Sequence, residues 1–529
     1  MGYLVHHTLR TAAAVIAAGM VLGLAACSTS GDPAPAGPAS ATGDPVAGGD
    51  ATIILGVEAV RGLDPALLFN LTPSGDANRM AAIYDVLFWS DASTGEVHGQ
   101  LGDSLEPDVD GTVWTMSLHP DIVFTDGTPL DAAAVVANYE RIQDPATASP
   151  LAGLLEGATF AVVDETTLTI ELTEPNLQFD KIVATSFTHI GSPTAMAEDP
   201  DYANNPVGAG PFVLEEWVRD DHMTLVRNPD YFQEGLPYLD SITFTPLRDP
   251  TQRINTVQTG AAHAAVPGSE LAFKQAATDA GLALTTAPAG GGPVLMFNTQ
   301  TAPFNDLRAR QAVQLALNID ELTSVVDPGS SAPDSLYGPE SAFHPGDSIF
   351  VEHDAEAAQA LFSELAADGN PVSFTVTMPQ SGFFTRTAEY LQSRLAQYDD
   401  VTVQIETLDN ATLDERVFRK QDYQMSAQIV PVTDPEPNLA KLLQTGGQTN
   451  YMGFSDPELD AALDSGRASV DEKERTAAYA TVEEIVVAQV PILPIRNQES
   501  FTVHAKSLHG LTLHGDGSLL YDRLWLNAE

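Results

Sequence analysis

Residue 27 is the only cysteine in a chain of 529 residues, and it closes an apolar run, Thr11 to Ala26, that follows Arg10. Whatever folds downstream has no thiol pair for a disulfide and no cysteine set for zinc, so it must be held by packing. A basic residue, a short apolar stretch and the small residues of Leu24-Ala25-Ala26-Cys27 form the pattern of a secretory signal that is cleaved before a thiol. At about 16 residues the run is shorter than the roughly 20 that cross a bilayer comfortably. The expectation is a signal peptide over residues 1–26, lipidation of Cys27, and a mature chain on the outer face of the cytoplasmic membrane. Several acyl chains at about 0.8 kcal/mol per buried methylene would anchor it firmly.

Residues 27–50 follow as a tether, because STSGDPAPAGPASATGDPVAGGD is too rich in Pro, Gly and Ser to bury a core. Roughly 480 residues remain, enough for two or three domains, and at 43% hydrophobic residues they can fill their cores. The charge is lopsided, with 72 acidic residues against 24 basic ones and a net of −48. That balance argues against nucleic acid and against adhesion to anionic lipid, both of which need a basic surface. It leaves two readings open: a repulsive, solubilising coat suited to a salty habitat, or attraction of cationic ligands.

Strand and helix patterns interleave through both halves, with no internal repeat. TLTIEL (Thr167 to Leu172), SITFTPL (Ser241 to Leu247), VSFTVTM (Val372 to Met378) and VTVQIETL (Val401 to Leu408) alternate as half-buried strands do. Helices are predicted from Asp131 to Ile142, over LRARQAVQLALNIDEL behind a capping Asp306, and within Asp471 to Val490 before Pro491.

Catalytic motifs fare poorly. Gly102-Asp103-Ser104-Leu105 spells the nucleophile block of one esterase group, but no histidine has an aspartate three residues before it, and no Gly-x-Ser-x-Gly elbow occurs. There is no His-Glu-x-x-His, and Asp108-Val109-Asp110-Gly111 lacks the remaining ligands of a calcium loop. His504, His509 and His514, spaced by five, fit neither a helix face nor reliably a strand face, and are expected to be solvated. Gly290-Gly291-Gly292 is followed by Pro293 rather than the Lys of a phosphate loop. Neither a catalytic site nor a metal site nor a cofactor is implied.

Longer blocks carry more information. Gly62-Leu63-Asp64-Pro65-Ala66 follows a predicted strand, and Ser104 to Ile142 combines a hairpin, a DGTPL turn and a helix. NPVGAGPFVLEEWVRDDHMTLVRNPDYF (Asn205 to Phe232) comes next, then GLPYLDSITFTPLRDPTQRINTVQTG, LMFNTQTAPFNDLRARQAVQLALNID (Leu295 to Asp320), NYMGFSDPELDAAL (Asn450 to Leu463) and VPILPI (Val490 to Ile495). Together these resemble the family 5 extracellular solute-binding proteins of ABC importers, which include oligopeptide, dipeptide and nickel binders. In that pattern Ser104 falls at an unremarked position of the hairpin.

The resemblance implies an α/β, two-lobed periplasmic-binding-protein fold with mixed sheets and a hinge crossed twice. Lobe I would comprise 51–290 plus 496–529, with an inserted subdomain at about 75–190, and lobe II 291–495. Pro288 to Pro293 and Pro491 to Pro494 are plausible hinge punctuation. The function implied is capture of peptides or a related small solute by lobe closure, without catalysis, for delivery to the permease subunits of an importer. The protein would act as a monomer whose only membrane contact is the lipid on Cys27. A secreted lipoprotein hydrolase, or a nickel or metallophore binder of the same fold, is the alternative.

Ligand-binding residues are also implied by resemblance: the segment Glu58 to Phe69, Asn298, Thr433, Asp434, Asn450 and Tyr451. Asp434 would either hold a ligand ammonium or cap the turn before Pro435. Tyr451 would stack on ligand or pack in place, and Asn298 would bond ligand backbone or pin the hinge. The tryptophan and aspartate that dipeptide binders use for the ligand amine are replaced here by Gln428-Ile429-Val430-Pro431. Where those proteins carry an arginine for the ligand carboxylate, this chain has Phe383 and Phe384, which suit longer peptides or an apolar solute.

Overall fold

The computed structural model describes residues 44–527 except 59–61, 69–75, 93, 288–289, 433 and 516. Cys27, Phe69 and Thr433 lie outside the described residues. Within one contiguous unit spanning residues 41–529, two large mixed sheets each organise their own cores.

The strand Asp50–Leu55 is buried along Ile53, Ile54 and Leu55 and runs parallel to both neighbours, Ser241–Pro246 and Ala264–Gly268. A strand with two covered faces needs apolar residues in succession, which DATIIL supplies. Ile53 and Leu55 join a core with Met80, Phe212 and Phe244, whereas Ile54 packs on the opposite face with Ile254, Phe273 and Phe501. Seven strands complete this sheet, in the order Ala283–Ala287, Ser500–His504, Ala264–Gly268, Asp50–Leu55, Ser241–Pro246, His222–Arg227, Phe212–Val218.

The block Gly62 to Ala66 follows it. Gly62 has φ +83°, and a Cβ there would lie 2.6 Å from the carbonyl oxygen of Ala203, so no side chain fits this approach. Asp64 caps the short turn Pro65–Leu67 and takes a bidentate ion pair from Arg141 at 2.7 and 2.5 Å. Arg141 belongs to the helix Ala132–Gln143, which Asp131 caps through the Ala134 N–H.

That helix packs on a separate four-stranded antiparallel sheet, ordered Gly102–Pro107, Val113–Leu118, Thr167–Glu171, Thr159–Val162. Trp114, Tyr139, Phe179 and Phe187 fill the core between them. Ser104 sits in the first of these strands, opposite Ser117.

The second large sheet has five strands, in the order Val401–Leu408, Val372–Pro379, Met425–Pro431, Gly291–Phe297, Ile492–Pro494. Phe304 lies edge-on between Phe297 and Phe374, each at 4.8 Å. The single helix expected over Leu307 to Leu322 is in fact two, Leu307–Ala316 and Ile319–Val326. Leu317 is extended, and the Asn318 side chain accepts the Glu321 N–H to start the second. An asparagine that can cap interrupts a pattern whose apolar spacing would carry on.

The three C-terminal histidines also depart from expectation. His504 is buried with Nε2 3.1 Å from Thr285 Oγ1, His514 is buried with Nε2 3.0 Å from the Ala184 carbonyl, and His509 stacks on Trp525 at 4.3 Å. Spacing of five matches no regular face, which is why solvation is the expectation. The short strands of this tail turn often enough to bury residues that no single period would.

The chain passes between the large sheets twice, between Ala287 and Gly291 and between Pro494 and Ser500. The two passages are tied to each other, since the Ile495 N–H bonds the Pro293 carbonyl and the Gln498 N–H bonds the Gly291 carbonyl, both at 2.9 Å. Among the described residues, no helix is long and apolar enough to cross a membrane.

Candidate functional site

A cavity of about 920 Å³ lies beside these passages, walled by residues from both sides. The seven-stranded half contributes the turn Thr94 to Val97, Asp180 and Lys181, Leu271, and Asn497 to Glu499. From the five-stranded half come Gly329 to Ser331, Gly338 to Phe343, Asp434, Glu472 and Arg475. The volume is at the upper end of what small-molecule sites occupy, roughly 300–1,000 Å³. Among the described residues, no histidine lines it.

The wall is organised around Asp434. Its Oδ2 accepts from Lys181 Nζ at 2.5 Å and its Oδ1 from Arg475 Nη2 at 2.7 Å. Lys181 lies in the first turn of the helix Phe179–Ser186, whereas Arg475 lies in the helix Glu472–Gln489, capped by Asp471. The carboxylate thus joins the two halves. Burial alone would push the Asp434 carboxyl up, but the two cations outweigh it and hold it below the ordinary carboxylate range. Arg475 is steadied in turn by the rings of Phe343 at 4.9 Å and Tyr479 at 5.6 Å. Tyr479 donates to Glu436 Oε1 at 3.1 Å. Asp180 lies beside this group, and burial pushes its carboxyl up.

Further contacts join the halves along the same side. The Leu177 N–H donates to the Arg467 carbonyl at 2.8 Å, Gln178 Nε2 to the Ser469 carbonyl at 3.0 Å, and Lys441 Nζ to Ser186 Oγ at 2.8 Å. Burial lowers the Lys441 ammonium to about 8. Asp327 accepts the Leu271 N–H at 3.1 Å, so the five-stranded half caps the first turn of the helix Leu271–Asp279.

Of the residues named from sequence, Asp434 alone lines the cavity among those described. Asn298 is buried, its amide donating to the carbonyls of Gln421 and Tyr423, both at 2.9 Å. Asn450 likewise spends its side chain on Gln444 and Phe454, closing a turn. Tyr451 packs on Phe418 at 4.8 Å, and Phe383 is in the core of the five-stranded half. Glu58 accepts the Asp220 N–H at 3.0 Å and stands 3.7 Å from Arg79. Sequence reasoning missed Lys181, Asp180 and Arg475. For the two cations the one visible signal was scarcity, 24 basic residues against 72 acidic ones, and Asp180 carried none.

A model of the family described as bacterial extracellular solute-binding proteins, family 5 middle, matches residues 96–450. The glutathione-binding protein GsiB of Salmonella paratyphi A is 27% identical over 459 residues, which cover 83% of this chain and 88% of that protein. Among solved structures, PBP AgaA from A. tumefaciens R10, in complex with agropinic acid, aligns with a TM-score of 0.79 at 25% identity, over 91% of this chain and 99% of that one. The oligopeptide-binding protein AppA from Bacillus subtilis, in complex with a nonapeptide, gives a TM-score of 0.79 at 19% identity, over 92% and 100% of the two chains. The second likeness is one of fold. The architecture is that of the periplasmic binding proteins.

Proposed function

The chain belongs to the family 5 bacterial extracellular solute-binding proteins, and on that premise we propose that it captures a peptide or related small solute by lobe closure and hands it to the permease of an ABC importer. Lobe I would be 51–290 plus 496–529 around the seven-stranded sheet, with an inserted subdomain at about 75–190, and lobe II 291–495 around the five-stranded sheet. The observation that carries this reading is the cavity walled from both halves with Asp434 bonded across it to Lys181. A solute touching both walls stabilises the closed form over the open one. Reversing a 1:99 population to 99:1 takes about 5.5 kcal/mol of differential affinity. An extended peptide suits such a space, since its backbone can pair with main chain while side chains sit in wet pockets.

Asp434 is then the group that receives a ligand cation, by exchange with Lys181 Nζ. The carboxylate keeps two cationic partners throughout, Arg475 and either Lys181 or the ligand. Binding is reversible and makes or breaks no covalent bond.

The test is to denature the purified soluble body and identify the released small molecules by mass spectrometry. Short peptides, or one defined solute, are expected, and adding the solute back to stripped protein should lower the radius of gyration in X-ray scattering. A stripped chain that cleaves added peptides, rather than retaining them, would move the assignment to the hydrolases.

Localisation is the finer part of the proposal. The apolar run ending at Cys27 supports a lipid anchor at the outer face of the cytoplasmic membrane. Cys27→Ser is expected to move the protein from the detergent phase to the aqueous phase in detergent partitioning of whole cells. Unchanged partitioning would mean that something other than this thiol holds it.

A further inference from the structure

Two side-chain amides of the cavity wall have no partner among the described residues. Asn497 and Gln498 lie on the second passage between the sheets, and both line the cavity. Asn497 Oδ1 and Gln498 Oε1 are buried without a hydrogen-bond partner, and neither amide nitrogen bonds a described residue. Polar groups held inside a protein are ordinarily paired, because burying an unpaired one forfeits its bonds to water. A half-turn about the last side-chain bond exchanges oxygen for nitrogen within the same outline, so each amide can offer the cavity either an acceptor or a donor. Arg475, 9% exposed, adds an unmet donor to the same wall: its Nη2 serves Asp434, but its Nε has no partner.

Main chain fixes where these amides stand. The Gln498 N–H is bonded to the Gly291 carbonyl at 2.9 Å, and Gly291 lies opposite Pro431 in the five-stranded sheet. The strand that ends at Pro431 leads on to Asp434. A solute ammonium at Asp434 thus has the two amides near the groups that follow it.

We infer that Asn497 and Gln498 are ligand-binding residues that pair with a peptide unit of the solute, one amide taking its N–H and the other giving to its carbonyl. This rests on the solute-binding reading above, with the ammonium at Asp434, and names what is recognised beside that charge. A peptide unit carries a donor and an acceptor on opposite edges, the complement of two amides that can each face either way. An amine without an amide group would leave both side chains as they are. Because neither residue is charged, they select for main chain and tolerate different solute side chains.

Isothermal titration of the stripped protein with Ala-Ala-Ala, and with its two analogues N-methylated at one peptide nitrogen, tests the pairing. One analogue should bind about tenfold more weakly than the parent peptide, a factor that corresponds to about 1.4 kcal/mol. Asn497→Ala and Gln498→Leu should each weaken Ala-Ala-Ala about tenfold. In the variant that has lost the acceptor, the methyl group should cost nothing further, since the bond it blocks is already gone. Denaturant midpoints should stay at the parent value, because neither side chain bonds within the protein. The peptide analogues need no variant, so they decide the matter even if a variant folds poorly. Analogues that bind as tightly as Ala-Ala-Ala, or variants that lose the same factor for all three peptides, would overturn the assignment and leave peptide capture standing. If folded protein bound none of the three, the peptide reading would fall and the assignment with it.

Discussion

Asp327→Ala is expected to destabilise the folded chain by about 3–5 kcal/mol, the usual consequence of removing one partner of a buried ion pair. Asp327 and Arg496 are 2% and 4% exposed, with Arg496 Nε 3.2 Å from Asp327 Oδ2. Burial pushes the Arg496 guanidinium down, and Asp327 is the main charge opposing that push. The same carboxylate accepts the Leu271 N–H and the Ser330 hydroxyl, the latter at 2.7 Å. Alanine would orphan a buried cation and uncap a helix in one step. Denaturant midpoints measure the loss. Pairing the change with Arg496→Met should cost less than the sum of the two single changes, because no charge is left alone. A single variant that unfolds within about 1 kcal/mol of the parent would show that water reaches the guanidinium.

The second large effect is on pH. Asp85 and Asp522 are buried, and Gln100 Nε2 donates to both, at 3.4 and 3.2 Å. The Tyr231 hydroxyl adds a bond to Asp85 Oδ2 at 2.6 Å. Burial, aided by the Asp522 charge, pushes the Asp85 carboxyl up to about 7, and burial also raises Asp522. A carboxyl raised in the folded state binds its proton more tightly there than in the unfolded chain. Its contribution to stability is therefore fully present below the unfolded value near 3.8 and is lost as pH rises through about 7. The melting temperature should fall between roughly pH 4 and pH 7. General repulsion in so acidic a chain acts in the same direction, so the decisive comparison is Asp85→Asn. Asparagine tolerates the φ of 59° at this position and keeps an acceptor for the Val86 N–H. The variant should be more stable than the parent at pH 8 and titrate less. Parallel melting curves across the range would place the proton elsewhere.

Alternation and capping carried much of the fold into view from sequence. VSFTVTM and VTVQIETL became adjacent parallel strands, and Asp131, Asp306 and Asp471 each start a helix. Those signals are local, so a window of ten residues contains them. Asn318 shows the limit, because a cap and a surface asparagine look alike until the next turn folds. The cavity wall was less legible. Lys181 and Asp434 are 253 positions apart, and nothing in either neighbourhood announces the other. Asn298 and Asn450 sit in recognisable blocks, yet such blocks are kept as readily for backbone geometry as for ligand contact: the Asn298 amide holds the carbonyls of Gln421 and Tyr423, and the Asn450 amide closes its own turn.

The two passages between the large sheets have a mechanical consequence. Because Ile495 bonds Pro293 and Gln498 bonds Gly291, they behave as a ribbon rather than as two independent strings. A ribbon flexes easily across its thin direction and strongly resists shear within its plane. Lobe closure of the kind proposed would thereby be restricted to something near a single swing, like a book on its spine, and would bring opposing walls of the cavity back to the same register each time.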